Sequence, residues 1–506
     1  MKKLYILIII TFFTSKVSVS QELPKFIKDS LDSYISQNIK KWNLPGLSIA
    51  IVKDGKTTHL KGYGVRAINS KEPVDETTMF QIASITKSFT ATLVAMLHEE
   101  KKLSLNDKVT KWLPYFQLKD STISQLVDIE DLLSHRIGFG NHQGDLNFEK
   151  PPTQRRQIIE GMSKLNISKK FRGSFGYSNK SFIAAGDVIN AVTKKTWEET
   201  IQEKIFLPLN MSSTEPSLNT NFKYPNIAYP HTYFRGKQVI RDFVPITVEA
   251  PAGAILSNAK DMSNWLKVQL SLGMLNDKRV IPRRAIMQTR RVKSIQAFSQ
   301  SIDARTHFYA YGLGYYIRDV EGYITYQHSG GGYGFSTNHV IVPEKGLAFI
   351  ILTNSDVSDF YMNLTNVILD AFLDKPFKDY SKESLKDFEE NNNQILKEMD
   401  SLTAIVNSNL KPKLSLNDFS GTYVNSTVGK LNIVNKNGKL KVLLPDYLKI
   451  SGDLEYIGDN EFLCTFSDYD FGVIKIPFKI KNGKVESLIL NIESYEDFDY
   501  HFVKEN

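Results

Sequence analysis

A serine and a lysine three positions apart form the first candidate for chemistry in this chain. In Ser84-Ile85-Thr86-Lys87, a helix would place the two side chains on one face, because residues i and i+3 are neighbours there. A serine hydroxyl becomes a strong nucleophile only when a neighbouring base takes its proton. Lysine can be that base where burial or nearby positive charge lowers its pKa from about 10 towards neutrality. The pair therefore predicts acyl transfer through Ser84, with Lys87 as its activator.

The same pattern also occurs elsewhere, so the surrounding sequence has to decide between the copies. Ser408–Lys411 lies in a polar stretch that would not desolvate an amine, and Ser257–Lys260 looks like a helix cap on an exposed first turn. Only Ser84 precedes a long apolar segment at helical spacing, residues 85–97, without Gly or Pro. A capping serine is still the structural alternative at Ser84, and this pattern alone does not exclude it.

Two later patterns could complete a site around this pair. Tyr177-Ser178-Asn179 offers a phenolate, or a phenol that relays protons to the lysine, and an amide that holds the substrate and orients the lysine. His328-Ser329-Gly330-Gly331 follows a strand-like segment and offers a cationic or donor side chain for a substrate carboxylate. The backbone N–H groups of Gly331 and Ser84 could form an oxyanion hole. The structural alternative for the last pattern is a glycine-rich turn with one exposed histidine.

The order of the three patterns resembles the serine β-lactamase and penicillin-binding-protein superfamily, in particular its class C and D-stereospecific peptidase branch. That family has Ser-x-x-Lys, then Tyr-x-Asn, then Lys/His-Thr/Ser-Gly, and here these begin at Ser84, Tyr177 and His328. The resemblance covers roughly residues 24–375. It extends to the flanking landmarks Pro45-Gly46, Gly62-Tyr63-Gly64, Phe80-Gln81-Ile82-Ala83, Leu132-Leu133-Ser134-His135-Arg136, Pro208-Leu209-Asn210-Met211 and Ala252-Gly253.

The resemblance implies an α+β catalytic domain, an antiparallel sheet flanked by helices with a largely helical insert, and no metal or cofactor. It implies an acyl-enzyme on Ser84, activation by Lys87 and proton transfer by Tyr177, with substrate held by Asn179 and His328. No acidic residue stands out as a deacylating glutamate, so deacylation would fall to Tyr177 and Lys87. Histidine in the third motif resembles the peptidase members, which favours D-amino-acid peptides or related esters over penicillins.

The sequence lacks the motifs of two other classes of hydrolase. An α/β-hydrolase would need Gly-x-Ser-x-Gly, and the nearest segment, Gly334-Phe335-Ser336-Thr337-Asn338, lacks the last glycine. A metallohydrolase would need histidines at ligand spacing, and the nine histidines do not cluster in that way. A β-lactamase, or a receptor of the same fold that is acylated without turnover, stays open as an alternative.

The second half of the chain contains three segments with different sequence patterns. Strand signals occur at residues 311–317, 323–326, 339–342 and 348–353, after a β-hairpin predicted around Asp54-Gly55. Residues 378–413 are polar with apolar residues at helical intervals, which predicts a helical linker. Beyond them, glycines and Asn-Gly pairs punctuate short alternating segments, which predicts a small β-barrel or sandwich. Phe419-Ser420-Gly421-Thr422-Tyr423 resembles the opening strand of the lipocalin-like barrel that some secreted serine peptidases carry.

The N-terminus predicts export. Lys2 and Lys3 precede an apolar run over residues 4–13 and the small-residue pattern Ser18-Val19-Ser20, as in a cleaved signal peptide. The run is shorter than the roughly 20 residues that span a bilayer. We therefore expect a signal peptide over 1–20, a catalytic domain over 21–377, a linker over 378–413 and a barrel over 414–506, in a periplasmic or secreted protein.

Composition restricts the partners. The net charge of +8 is scattered, without a basic stripe interleaved with aromatic residues, so nucleic-acid binding is not expected. Cys464 is the only cysteine, which excludes an internal disulfide, and its alternating apolar context predicts a buried strand position. The expected partner is a small-molecule or peptide substrate, and the C-terminal domain could cap the site or mediate homo-oligomerisation.

Overall fold

The computed structural model describes most of the chain. The described residues are 22–146, 154–219, 222–244, 246–301, 304–445, 450–492 and 496–505. The predicted signal peptide over 1–20 lies outside them. Among the described residues, no helix has both the length and the apolar character needed to cross a bilayer.

Most of the helices lie before residue 290, and further helices follow before the barrel. They are α1 (Lys25–Asp29), α2 (Leu31–Lys41), α3 (Thr86–Glu99), α4 (Val109–Trp112), α5 (Ser121–Leu126), α6 (Ile129–Leu133), α7 (Arg155–Gly161), α8 (Asn179–Thr193), α9 (Trp197–Ile201), α10 (Ala250–Gly253), α11 (Ala259–Leu270), α12 (Arg283–Thr289), α13 (Phe360–Phe372), α14 (Tyr380–Asn407) and α15 (Leu416–Phe419). A short 3-10 turn, Ala83–Ile85, leads directly into α3.

The strands form one large sheet, one barrel and three small two-stranded sheets. They are β1 (Gly46–Lys53), β2 (Lys56–Gly64), β3 (Phe80–Gln81), β4 (His231–Phe234), β5 (Lys237–Ile240), β6 (Leu256–Ser257), β7 (Met274–Leu275), β8 (Lys278–Arg279), β9 (Ser294–Phe298), β10 (Phe308–Tyr311), β11 (Tyr316–Val320), β12 (Tyr323–Gly332), β13 (Phe335–Val342), β14 (Leu347–Thr353), β15 (Gly421–Asn425), β16 (Gly429–Lys436), β17 (Lys439–Leu443), β18 (Ser451–Gly458), β19 (Glu461–Phe466), β20 (Val473–Lys481), β21 (Lys484–Ile492) and β22 (Glu496–Lys504).

The large sheet is antiparallel, with the order β2-β1-β14-β13-β12-β11-β10-β9. Its first two strands form the hairpin predicted at Asp54-Gly55. One face packs against α3, α8 and α11, where Phe89 and Trp265 stack with ring centroids 3.8 Å apart. The other face packs against α2 and α13. The result is the α+β fold, with a sheet between helical layers, that the resemblance implied.

The strand predicted over 311–317 is wrong, because the chain turns inside that segment. β10 ends at Tyr311 and β11 begins at Tyr316, and the two strands pair with each other. Gly314 in this turn has φ +70°, and a Cβ there would lie 2.5 Å from the carbonyl oxygen of Lys87. Glycine is therefore needed both for the backbone conformation and for the close approach of this turn to α3.

The C-terminal strands β15 to β22 close into an eight-stranded antiparallel barrel, in which β15 pairs with β22. Its interior is filled by apolar side chains, and Cys464 is fully buried on β19, as predicted. The long helix α14 leads from the sheet domain to the barrel. Its N-terminal end is fastened to the sheet domain, because the Trp42 indole N–H donates to Ser381 Oγ over 2.8 Å.

The barrel also touches the sheet domain directly, through a buried ion pair. Arg241 donates from Nη1 and Nη2 to the two carboxylate oxygens of Asp470, each over 2.5 Å. Asp470 lies in the turn between β19 and β20. The same guanidinium also contacts Asp356 of the sheet domain at 3.3 Å.

Candidate active site

Ser84 lies in a strained turn directly before α3, a helix that is buried from Thr86 to Leu97. Ala83, directly before it, has φ +47°, a conformation that is costly for a residue with a Cβ and that persists only where packing enforces it. The turn is held by two hydrogen bonds, from Ile82 N to the Ile255 carbonyl (2.9 Å) and from Thr337 Oγ1 to the Ile82 carbonyl (2.9 Å). Ser84 is therefore fixed between α3 and the central strands.

Lys87 is fully buried on the first turn of α3, and its amine has three oxygen neighbours. Nζ lies 3.0 Å from Ser84 Oγ, 2.6 Å from Asn179 Oδ1 and 2.8 Å from the Ala252 carbonyl. Burial lowers the pKa of Lys87 to about 7, although the negative charges of Asp145 and Glu249 act in the opposite direction.

These three contacts determine what the neutral amine does. A neutral amine has two N–H groups and one lone pair, and the Asn179 and Ala252 oxygens can only accept hydrogen bonds. Both N–H groups are therefore used on those two oxygens, and the lone pair is left for the Ser84 hydroxyl. The geometry is that of a base ready to take the serine proton.

Tyr177 packs over this amine from the other side. Lys87 Nζ lies 4.8 Å from the centre of the Tyr177 ring, and the Tyr177 hydroxyl is hydrogen-bonded to Ser84. Burial raises the pKa of Tyr177 well above its ordinary value of 10. Of the two roles considered for this residue, the structure therefore favours the neutral phenol that relays protons over the phenolate.

Asn179 begins α8 and connects the lysine to a buried carboxylate. Its Oδ1 accepts from Lys87, while its Nδ2 donates to Asp145 Oδ2 over 2.7 Å. The second contact fixes the orientation of the amide, since only the NH₂ group can donate to a carboxylate. Asp145 thus holds Asn179 in the orientation that Lys87 needs.

Asp145 belongs to a loop, residues 140–145, that the sequence reasoning did not identify. Asn141 Oδ1 accepts from Tyr177 N over 3.0 Å, and His142 N donates to the Tyr177 carbonyl over 2.7 Å. Both backbone groups of Tyr177 are therefore held by this loop. The available signal was a polar run with two glycines directly after the landmark that contains His135.

His328 on β12 corrects an expectation. It is buried, not exposed, and its ring nitrogens contact the Ser329 carbonyl (Nδ1, 2.6 Å) and the Tyr311 hydroxyl (Nε2, 3.0 Å). A carbonyl only accepts, so Nδ1 carries the proton and Nε2 accepts from Tyr311. Burial holds the pKa of His328 well below 6.5. The ring is neutral and both of its nitrogens are hydrogen-bonded within the protein. His328 therefore offers no positive charge to a substrate carboxylate.

The glycines after His328 bring β12 against the nucleophile. A Cβ on Gly330 would lie 2.4 Å from the Ile82 carbonyl, so only glycine permits this approach. Gly331 follows it and lines two cavities together with Ser84. This arrangement supports the proposed pairing of the Ser84 and Gly331 N–H groups.

Two cavities meet at Ser84. The larger, about 910 Å³, has a wall of Tyr177, His328, Ser329, Phe175 and Tyr316. The smaller, about 140 Å³, is lined by Asn179 and by three carboxylate side chains, those of Asp145, Glu249 and Asp470. Every site residue predicted from the sequence lines one of these cavities or contacts a residue that does.

The Glu249→Gln variant tests the electrostatics of Lys87. The Glu249 charge raises the pKa of Lys87, so its removal is expected to lower that pKa further and to keep the amine neutral at lower pH. The acidic limb of the kcat/KM profile on an ester substrate is therefore expected to move to lower pH. The exposed Glu383→Gln variant is the control. A shift of the limb to higher pH would contradict this account of Lys87.

Comparisons with known proteins show which family the chain belongs to. The beta-lactamase family model matches residues 31–371. The unguisins hydrolase ungD' of Aspergillus campestris is 28% identical over 369 residues, which are 69% of this chain and 66% of that protein. Protein flp of Staphylococcus aureus is 26% identical over 331 residues, 65% of this chain and 63% of that protein. The chain thus spans slightly less than two thirds of these relatives.

Solved structures share the fold over almost the whole chain. The octameric penicillin-binding protein homologue from Pyrococcus abyssi has a TM-score of 0.59 at 22% identity, and the match covers 94% of this chain and 99% of that one. SurE has a TM-score of 0.56 at 18% identity, with the same coverage. At these identities the likeness concerns the fold alone. With its family match over residues 31–371, this chain belongs to the beta-lactamase family.

Proposed function

We propose that this protein is an exported serine hydrolase that cleaves amide or ester bonds through an acyl-enzyme on Ser84. The observation that carries the proposal is the buried Lys87 amine, 3.0 Å from Ser84 Oγ with its other two contacts made to acceptors. A base with a pKa of about 7 is matched to neutral conditions, where general-base catalysis is most effective.

In the acylation step, Lys87 takes the Ser84 proton while Oγ forms a bond to the acyl carbon. The negative charge that develops on the acyl oxygen is held by the N–H groups of Ser84 and Gly331. The bond to the leaving group then breaks. The departing atom receives its proton from the Lys87 ammonium through the Tyr177 hydroxyl.

The substrates we propose are peptides that contain D-amino acids, or related esters. A neutral His328 gives the site no cation at the position where β-lactamases proper have lysine, which argues against penicillins. Two similar proteins support this proposal: one relative is named a hydrolase of unguisins, and SurE has a crystal structure with the D-amino acid D-Leu. A β-lactamase and an acylated receptor without turnover are the alternatives.

The Ser84→Ala variant is the direct test of this function. Wild-type protein is expected to react with a fluorophosphonate probe and gain the mass of one adduct, and Ser84→Ala is expected to lose both labelling and hydrolysis. The matched control is Ser408→Ala, at the exposed copy of the Ser-x-x-Lys pattern. Equal labelling of Ser84→Ala and wild type would contradict the assignment of the nucleophile.

A substrate panel separates the alternatives. Turnover of D-amino-acid amides or esters with little hydrolysis of nitrocefin is expected. Rapid nitrocefin hydrolysis would identify a β-lactamase, and stable acylation without product would identify a receptor.

The organisation of the chain is part of the proposal. We infer cleavage after Ser20, a catalytic domain to residue 377, a linker to 413 and a barrel domain beyond it, in a periplasmic or secreted protein. Intact mass of the exported protein tests the cleavage site. The octameric Pyrococcus homologue supports a homo-oligomer, which light scattering on the purified protein would reveal.

A further inference from the structure

We propose that His142, held by Asp145, is the base that activates water when the acyl-enzyme is hydrolysed. This inference rests on the proposed function, because it needs an acyl ester on Ser84. It assigns the deacylation step to a residue outside the three sequence patterns.

His142 and Asp145 form a hydrogen-bonded pair at the wall of the cleft. His142 Nδ1 lies 3.0 Å from Asp145 Oδ2, and the Asp145 side chain is buried while 45% of the His142 side chain is exposed. A carboxylate accepts, so Nδ1 carries the proton and Nε2 keeps a lone pair. Asp145 therefore fixes the tautomer that acts as a base, as a carboxylate does in a catalytic triad.

The position of His142 suits an attack on an ester at Ser84. His142 lines both the larger and the smaller cavity, as does Ser84, and its ring centre lies 4.8 Å from that of Tyr177. The smaller cavity, at about 140 Å³, has room for a water, which occupies about 30 Å³. His142 also has φ +57°, a strained conformation of the kind that functional sites retain.

The other groups at the cavities are less suited to this step. Tyr177 is a buried neutral phenol, and both nitrogens of His328 are used within the protein. Lys87 donates both N–H groups to the Asn179 and Ala252 oxygens, and its lone pair points at Ser84 Oγ. After acylation, that Oγ is an ester oxygen. Glu249 accepts from the Tyr333 hydroxyl at 3.3 Å and remains the competing base. Lys169, Tyr316 and Asp470 are the remaining ionisable groups that line the two cavities.

The proposed step balances in atoms and charge. The water oxygen forms a bond to the acyl carbon while His142 Nε2 takes one water proton. The bond between that carbon and Ser84 Oγ then breaks. Oγ receives a proton from the Tyr177 hydroxyl, which is replenished from the His142 imidazolium, and the acyl group leaves as a carboxylic acid.

The test separates acylation from deacylation in the full-length mature protein with p-nitrophenyl acetate. The His142→Ala variant is expected to release p-nitrophenol in a rapid burst equal to the enzyme concentration, and then to turn over about 10²-fold or more slowly than wild type. Intact mass is expected to show an acetyl group on the variant during turnover. Added imidazole is expected to restore the slow phase and leave the burst unchanged.

Two further variants make the result specific. His142→Asn keeps an N–H donor for Asp145 without a basic nitrogen, so it is expected to accumulate the acyl-enzyme as His142→Ala does. His307→Ala removes another histidine of a His–Asp pair, 2.6 Å from Asp319 and outside both cavities, and is expected to behave as wild type.

Three results would overturn the inference: unchanged turnover in His142→Ala, full activity of His142→Asn, or accumulation of the acyl-enzyme in Glu249→Gln alone. Fluorophosphonate labelling of each variant verifies that the nucleophile is intact. Failure of wild type to label would instead contradict the proposed function.

Discussion

Replacement of Lys87 by arginine is expected to lower kcat/KM by about 10²–10⁴-fold, the usual contribution of a general base. Arginine keeps its proton at every accessible pH, so it can satisfy the acceptors around Nζ but cannot take the serine proton. The measurement is kcat/KM for an ester substrate across the neutral and alkaline range. No recovery of activity is expected as the pH rises.

The matched control is Lys260→Arg, at another copy of the Ser-x-x-Lys pattern. Lys260 is exposed on the first turn of α11, and its replacement is expected to leave the kinetics unchanged. A Lys87→Arg protein that kept the wild-type rate and pH profile would show that the amine is not the base.

Replacement of Asp131 by alanine is expected to destabilise the protein by about 3–5 kcal/mol, the usual cost of removing one partner of a buried ion pair. Asp131 is fully buried and accepts from Arg136 Nε at 2.6 Å and from Arg172 Nη2 at 2.7 Å. Its loss leaves two guanidinium groups without their shared partner. Chemical denaturation at neutral pH measures the change in the free energy of unfolding.

The destabilisation caused by Asp131→Ala is expected to become smaller as the pH falls. Burial by itself raises the pKa of Asp131, but the hydrogen bonds from Arg172 and the charge of Arg136 outweigh it and hold the pKa below 3.8. The ionised carboxylate thus stabilises the fold above the unfolded pKa of about 3.9, and this stability is lost as the pH falls through the lower folded value.

An exposed ion pair provides the comparison for Asp131. Asp453 contacts Lys441 on the barrel surface, and its replacement by alanine is expected to change the stability by about 0–1 kcal/mol. Equal effects at Asp131 and Asp453, or a cost at Asp131 that grows in acid, would contradict the role assigned to the buried cluster.

Local patterns were sufficient for much of the fold. The hairpin at Asp54-Gly55 and the helix after Ser84 follow from turn chemistry and apolar periodicity, and the small all-β domain at the C-terminus follows from its spaced glycines. The break near Gly314 was missed, because the segment is apolar on both sides and the reason for the turn is contact with α3, a distant part of the chain.

In the site, too, some residues could be predicted from local sequence motifs and others could not. Ser84, Lys87, Tyr177 and Asn179 carry recognisable patterns, and the structure brings them together. The roles of Asp145 and His142 depend on hydrogen bonds to residues more than thirty positions away. The charge of His328 could not be predicted from its motif either, because it follows from burial of the ring, and the Tyr311 hydroxyl that contacts Nε2 belongs to another strand.

The ion pair between Arg241 and Asp470 makes the barrel part of the wall of the cleft. Asp470 lines the smaller cavity beside Ser84, although it lies nearly four hundred residues further along the chain. A fragment that ended before the barrel would leave the buried Arg241 with Asp356 alone and would open that cavity to solvent. The shortest autonomous unit that contains the complete cleft therefore includes both the sheet domain and the barrel, whatever boundary the sequence suggests between them.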